Sequence, residues 1–178
     1  MPLDFDSEVD FVDQDVRYMD QLEALEPIRF SNWRDWCNTN LISAINSYTI
    51  PDGKVVMPGV WNGNIYSLLQ AEYGNERCVG FDIVSYYTET HNSVIHGDFR
   101  DIHTNNAHSI AVLYNGLGTW ENNTTSKQAG LTYALANLVS GGIYLEPRTP
   151  LAVATLQAED GLEYLELYGD RLIICRKP

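Results

Sequence analysis

Acids and small residues recur wherever a short apolar run ends. Lys54-Val55-Val56-Met57-Pro58 is followed by Gly59-Val60-Trp61-Asn62-Gly63, and Cys78-Val79-Gly80-Phe81 ends on Asp82. Ser93 to His96 leads into Gly97-Asp98-Phe99, Ile110 to Leu113 into Tyr114-Asn115, and Ile143 to Leu145 into Glu146-Pro147. A carboxylate at a strand end can accept two hydrogen bonds from vicinal hydroxyls, so Asp82 suits a ribose diol. Glycines before a helix let backbone amides approach a ligand, the chemistry open to Gly59 and Gly63. Each residue also has a plainer role: Asp82 and Asp98 as helix caps, Gly59 and Gly63 as turn residues, Asn115 as a loop residue and Glu146 as a solvated strand end.

Other chemistries find little support. The four histidines, His91, His96, His103 and His108, show no HxH or HxxxH spacing, and Cys37, Cys78 and Cys175 form no CxxC, so no metal site is expected. The cysteines are expected to be reduced and mostly buried thiols. No GxSxG nucleophile elbow and no GxxxxGK[ST] phosphate loop occurs.

These residues need a scaffold. From Lys54 onward short apolar runs alternate with helical stretches, which predicts a parallel sheet covered on both faces. The expected strands are KVVMP, CVGFD, SVIHGD, IAVLYN and GGIYLEP. The helices between them include IYSLLQAEYG, ending at Gly74, and SKQAGLTYALANLV, stopped by Gly141-Gly142. LEYLELY and RLIICRK flank Gly169-Asp170, read as a two-residue hairpin turn. Ahead of this lie an alternating acidic arm (residues 3–11), a helix over 14–26 ended by Pro27, and a second helix capped by Ser31 with Trp33, Trp36, Leu41, Ala44 and Ile45 near one face. Residues 1–50 thus form an arm with two helices and 51–178 an α/β domain, packed as one unit.

The order of these features resembles the Rossmann-like S-adenosylmethionine-dependent methyltransferases over roughly residues 54–178. The resemblance implies a seven-stranded mixed sheet of order 3-2-1-4-5-7-6 with an antiparallel closing hairpin, which an NAD-binding Rossmann domain lacks. It implies S-adenosylmethionine as cofactor. Gly59, Trp61 and Gly63 would occupy the first loop, Asp82 and Ile83 the ribose position, and Asp98 and Phe99 the adenine contact. Tyr114 and Asn115 would stand at the methyl-transfer centre. Two positions depart from the pattern: Trp61 replaces the middle glycine, and Met57 replaces the acid that helps hold the cofactor's amino-acid end. Two functions follow: methyl transfer to a small molecule or a protein, or a fold of this type used without cofactor as a binding or assembly module.

Composition bounds the partners. The 178 residues are 44% hydrophobic and 20% charged with a net charge of −13, and residues 1–26 hold nine acids against one base, Arg17. So few cations gain little from phosphate neutralisation, which disfavours nonspecific nucleic-acid and anionic-membrane binding. No apolar run reaches the roughly 18 residues of a membrane span. A cytoplasmic location is expected, as is a small-molecule or protein substrate, with the arm available for self-association or a protein partner.

Overall fold

A computed structural model describes residues 27–60, 63–82, 94–97, 108–112, 136–147, 156–157, 161–169 and 172–178. The acidic arm and the helix expected over 14–26 lie outside them. The described elements run α1 (Pro27–Asn46), β1 (Lys54–Pro58), α2 (Asn64–Tyr73), β2 (Cys78–Asp82), β3 (Val94–His96), β4 (His108–Val112), β5 (Leu138–Pro147), β6 (Glu163–Tyr168) and β7 (Leu172–Arg176).

All seven strands form one sheet in the order β3-β2-β1-β4-β5-β7-β6. The first five are parallel, and β7 runs antiparallel to both β5 and β6. The directions are those expected from the alternating runs and the closing hairpin, and the order is the one that the family resemblance implies. β1 and β2 coincide with KVVMP and CVGFD, and their near-continuous burial marks strands covered on both faces.

Side-chain alternation divides the core. Val55, Met57, Ile110, Ile143, Leu145, Leu172 and Ile174 pack with Leu41, Ala44 and Ile45 of α1 and with Ile65, Tyr66 and Leu69 of α2. Val56, Phe81, Tyr144, Ile173 and Cys175 point the other way, where Leu156 and Leu162 join them. Each fully buried aliphatic side chain contributes about 1.5–3 kcal/mol relative to exposure. β3, only three residues long, is an edge strand with half-exposed Ile95.

Three boundaries differ from expectation. Ser31 lies inside α1, which Pro27 opens, and is not its cap. Proline suits a first helical turn, where its missing N–H would have no partner. β5 begins at Leu138, so Leu138 and Val139 are strand residues, and Gly141-Gly142 lies within β5 instead of stopping a helix. The reason is an irregularity opposite Ser109, where the β4–β5 register slips between His108↔Leu138 and Ile110↔Ile143. Gly141 takes φ 81° there. A Cβ on Gly142 would come 2.9 Å from the Val139 carbonyl oxygen and 3.1 Å from that of Ser109. Finally, Tyr168 pairs with Leu172, so residues 169–171 make a three-residue connection in place of the expected two.

Candidate functional site

The carboxyl ends of β1 and β2 are tied through one carbonyl. Phe81 O accepts hydrogen bonds from the amides of Gly59 (2.8 Å) and Val60 (3.1 Å), so the loop after β1 folds back onto β2. Gly59 turns with φ 73°, and Gly63 enters α2 with φ 77° and no side-chain cap. The Gly63 amide donates to Val60 O at 3.1 Å, and Gly63 O accepts from the Ser67 amide at 2.8 Å. The amides of residues 59, 60 and 63 are therefore consumed within the protein. What these glycines supply is left-handed turn geometry.

Gly80 makes this arrangement possible. A Cβ there would lie 2.6 Å from Val60 Cγ2 and 3.1 Å from Tyr66 Cζ. The absence of a side chain lets the loop and α2 sit directly on β2. Nothing local in CVGFD points to that role, because the contacts come from residues earlier in the chain.

Asp82 follows two residues later, 7% exposed, at the end of β2. It stands beside the Gly59–Val60 turn and alongside His96, its register partner on β3. Its backbone carbonyl accepts from the Gly97 amide at 2.9 Å, which brings the segment leading to Asp98 toward the same edge. Thus Gly59 is tied to the residue before Asp82, and Gly63 is tied to Val60 of the same turn. Trp61, Ile83, Asp98, Phe99, Tyr114 and Asn115 lie outside the described residues.

Glu146, at the carboxyl end of β5, is 2% exposed and is not a solvated strand end. Tyr144 Oη donates to its Oε2 at 3.2 Å on the face opposite α1 and α2. Burial, reinforced by the Glu146 charge and that hydrogen bond, pushes the Tyr144 hydroxyl well above its usual pKa. Cys175 packs in the same cluster; burial and then Glu146 raise its thiol to about 12. Cys78 is raised to about 11 by burial. Both cysteines are free and protonated at neutral pH, which suits packing and not nucleophilic chemistry.

Met57 is fully buried in the core shared with α1 and α2. A thioether in that position offers no charge to an ammonium group. Among the described residues no group of three or more His, Cys, Asp or Glu could hold a metal ion, and no helix is long and apolar enough to cross a membrane.

α1 borders the same edge. Its last residue, Asn46, bonds Glu72 and Tyr73 at the far end of α2, so α1 runs antiparallel to β1. Midway along it, Trp36 packs on Gly169 and lies edge-on to Tyr168 at the tip of the β6–β7 hairpin. That tip is on the carboxyl edge, because Leu172 pairs with Pro147. Residues 27–35, about 14 Å of helix, precede this contact on the side of the carboxyl edge.

No protein-family profile and no curated protein matches the sequence. Solved structures do match. DesVI from Streptomyces venezuelae superimposes with a TM-score of 0.64 at 13% identity, over 90% of this chain and 98% of that one. S-adenosylmethionine-bound CalS10 from Micromonospora echinaspora, an amino pentose methyltransferase, gives 0.63 at 12% identity, over 88% and 96%. The N-methyltransferase NodS from Bradyrhizobium japonicum gives 0.59 at 12% identity, over 82% and 96%. The chain has the Rossmann-like fold of S-adenosylmethionine-dependent methyltransferases.

Proposed function

We propose that the chain binds S-adenosylmethionine at the carboxyl edge of β1 and β2 and transfers its methyl group to an acceptor held under α1. The observation that carries this is the buried Asp82 carboxylate beside the Gly59–Val60 turn, both anchored at Phe81, in a sheet of this order. Asp82 fits the two ribose hydroxyls, a charge-assisted pair worth about 1.5–3 kcal/mol per bond. Met57 does not fit the cofactor's ammonium, so the amino-acid end lacks one charged contact.

When bound, the cofactor supplies a methyl group on a positively charged sulfur. The chain's own task is then alignment and exclusion of water, with no obligatory general base. Asp82 fixes the ribose. By the family resemblance, Asp98 and Phe99 hold the adenine, Gly59, Trp61, Gly63 and Ile83 complete the cofactor's bed, and Tyr114 and Asn115 face the acceptor. The first turns of α1 cover one side. An amino pentose methyltransferase among the similar structures favours a small-molecule acceptor over a protein. A cytoplasmic setting and a partner for the acidic arm belong to the same proposal.

The buried Met57 favours a second reading, in which the fold works without cofactor as a binding module. Calorimetry with S-adenosylmethionine, S-adenosylhomocysteine and NAD separates the two. The enzyme reading requires adenosyl binding, with no heat from NAD, and a loss of about tenfold or more in Asp82→Ala. Absence of heat and of thermal shift at millimolar ligand supports the binding module.

A further inference from the structure

The opposite edge of the sheet holds a separate open cleft of about 520 Å³ where the α1–β1 connection meets the start of β5 and the end of β7. Its lining carries a single charged side chain, Arg176. The guanidinium lies over the Tyr48 ring, 5.7 Å from its centroid. Tyr48 is fixed in turn by its hydroxyl, which donates to Glu166 on β6.

Arg176 differs from the other cations whose side chains are described. Lys54 donates to Glu76 O at 2.6 Å, Arg77 to Gly53 O at 2.8 Å and Lys177 to Leu138 O at 2.8 Å. Among the described residues, no acceptor binds the Arg176 guanidinium, and no ion pair joins it to exposed Glu163, its partner across the β6–β7 ladder. Five N–H donors in a rigid fork therefore face an open cleft. The Thr49 and Ser140 hydroxyls stand on its walls, and Tyr48, Ile50 and Pro51 supply an apolar side.

We infer that this cleft is a binding site for a small monocarboxylate with an apolar body, distinct from the edge that holds Asp82. The guanidinium fork matches a carboxylate bidentately. One cation balances one negative charge. A dianion or a polyanion would face Glu163 and Glu166 on β6 and a chain of net charge −13. The ring and the Ile50–Pro51 segment take up the apolar remainder of the ligand. Because Tyr48 to Pro51 link α1 to β1, an occupant contacts the connection that leads from the helix bordering the other edge.

Benzoate tests this, with benzamide as the uncharged control and inorganic phosphate as the compact anion. NMR titration of the full chain should show saturable binding of benzoate at millimolar concentration, with shifts at Thr49, Ser140 and Arg176. Benzamide and phosphate should bind at least about tenfold more weakly. Arg176→Met should lose at least the same factor, with Arg176→Lys between, while Asp82→Asn leaves the titration unchanged. Absence of saturation, equal binding of benzamide, or shifts centred on Gly59 and Asp82 overturns the assignment. The shift map on the unaltered chain decides the matter even where an Arg176 variant fails to fold.

Discussion

Trp36 and Gly169 meet with no room between them: a Cβ on Gly169 would stand 2.9 Å from Trp36 Cζ2. Gly169 adopts φ 57°, and the same indole lies edge-on to Tyr168, with centroids 6.1 Å apart and planes at 69°. The contact clamps α1 to the closing hairpin on the edge where Asp82 sits. It joins the element preceding the sheet to the pair of strands that ends it.

Gly169→Ala is therefore expected to destabilise the chain by about 2 kcal/mol, from left-handed strain of about 1–2 kcal/mol plus displacement of the indole. For a chain of this size that lowers the melting temperature by about 4–8 °C. Trp36→Ala costs stability alone but removes the clash. Thermal unfolding of the double variant should show a penalty smaller than the sum of the singles. Additive penalties would mean that the ring does not press on the turn.

Gly80→Ala acts closer to the site. Its new methyl group must displace Val60 or Tyr66, both fully buried, at a cost of about 1–3 kcal/mol. Val60 shares the Phe81 carbonyl with Gly59, so the shift passes into the turn beside Asp82. The variant should lose stability and bind S-adenosylhomocysteine several-fold more weakly, as read by calorimetry below its melting temperature. Unchanged affinity in a destabilised protein would uncouple this loop from the ligand.

His108 supplies a pH dependence. It opens β4 with 1% exposure, and burial lowers its pKa from 6.5 to about 4. Above pH 6.5 the imidazole is neutral in folded and unfolded chains alike, and it costs nothing. Between 6.5 and about 4 the unfolded chain takes up a proton that the folded chain refuses, so stability falls with pH, at most by about 1.4 kcal/mol per unit. His108→Gln removes this proton uptake. The melting temperature of the unaltered chain should drop more steeply than that of the variant from pH 7 to 5. Parallel curves would place the acid sensitivity on the carboxylates.

The sheet was legible because its signals are local. Alternating runs, strand-end acids and a glycine at the hairpin each speak within a few residues and gave the strands and their directions, while the strand order came from the resemblance that their sequence carries. Boundaries failed where one residue type serves two roles. Ser31 can cap a helix or sit within one, as it does in α1, and Leu138 and Val139 continue a helical period yet belong to β5. Gly141-Gly142, readable as a helix stop, instead relieves an irregularity facing Ser109, which is set by register and not by sequence. At the site, Asp82 could be picked out because an acid ending an apolar strand is conspicuous. Gly80 and the Trp36–Gly169 clamp could not, since each is defined by a contact with chain far away in sequence. The buried Tyr144–Glu146 pair was half visible: the acid stood out, but its burial depends on packing across to Cys175 and Leu156.

Met57 tests how the proposed cofactor's amino-acid end would be held. An acid is usual at this position in the fold's enzymes by the resemblance described above, yet here the side chain is fully buried among residues of α1 and α2. Met57→Glu places a carboxylate in that apolar setting. An unpaired buried charge costs about 3–5 kcal/mol, or the group stays protonated. If the position opened onto the cofactor, an incoming ammonium would offset much of that cost, and S-adenosylhomocysteine would raise the melting temperature of Met57→Glu more than that of the unaltered chain. With the side chain fully buried in the cluster that includes Leu41, Ile45 and Leu69, the expected result is the reverse: the variant is strongly destabilised and the ligand-induced shift does not grow. Met57→Leu, of similar volume, should keep both stability within about 1.5 kcal/mol and ligand affinity. A larger ligand shift in Met57→Glu would instead show that the core yields there and that the position can serve the cofactor.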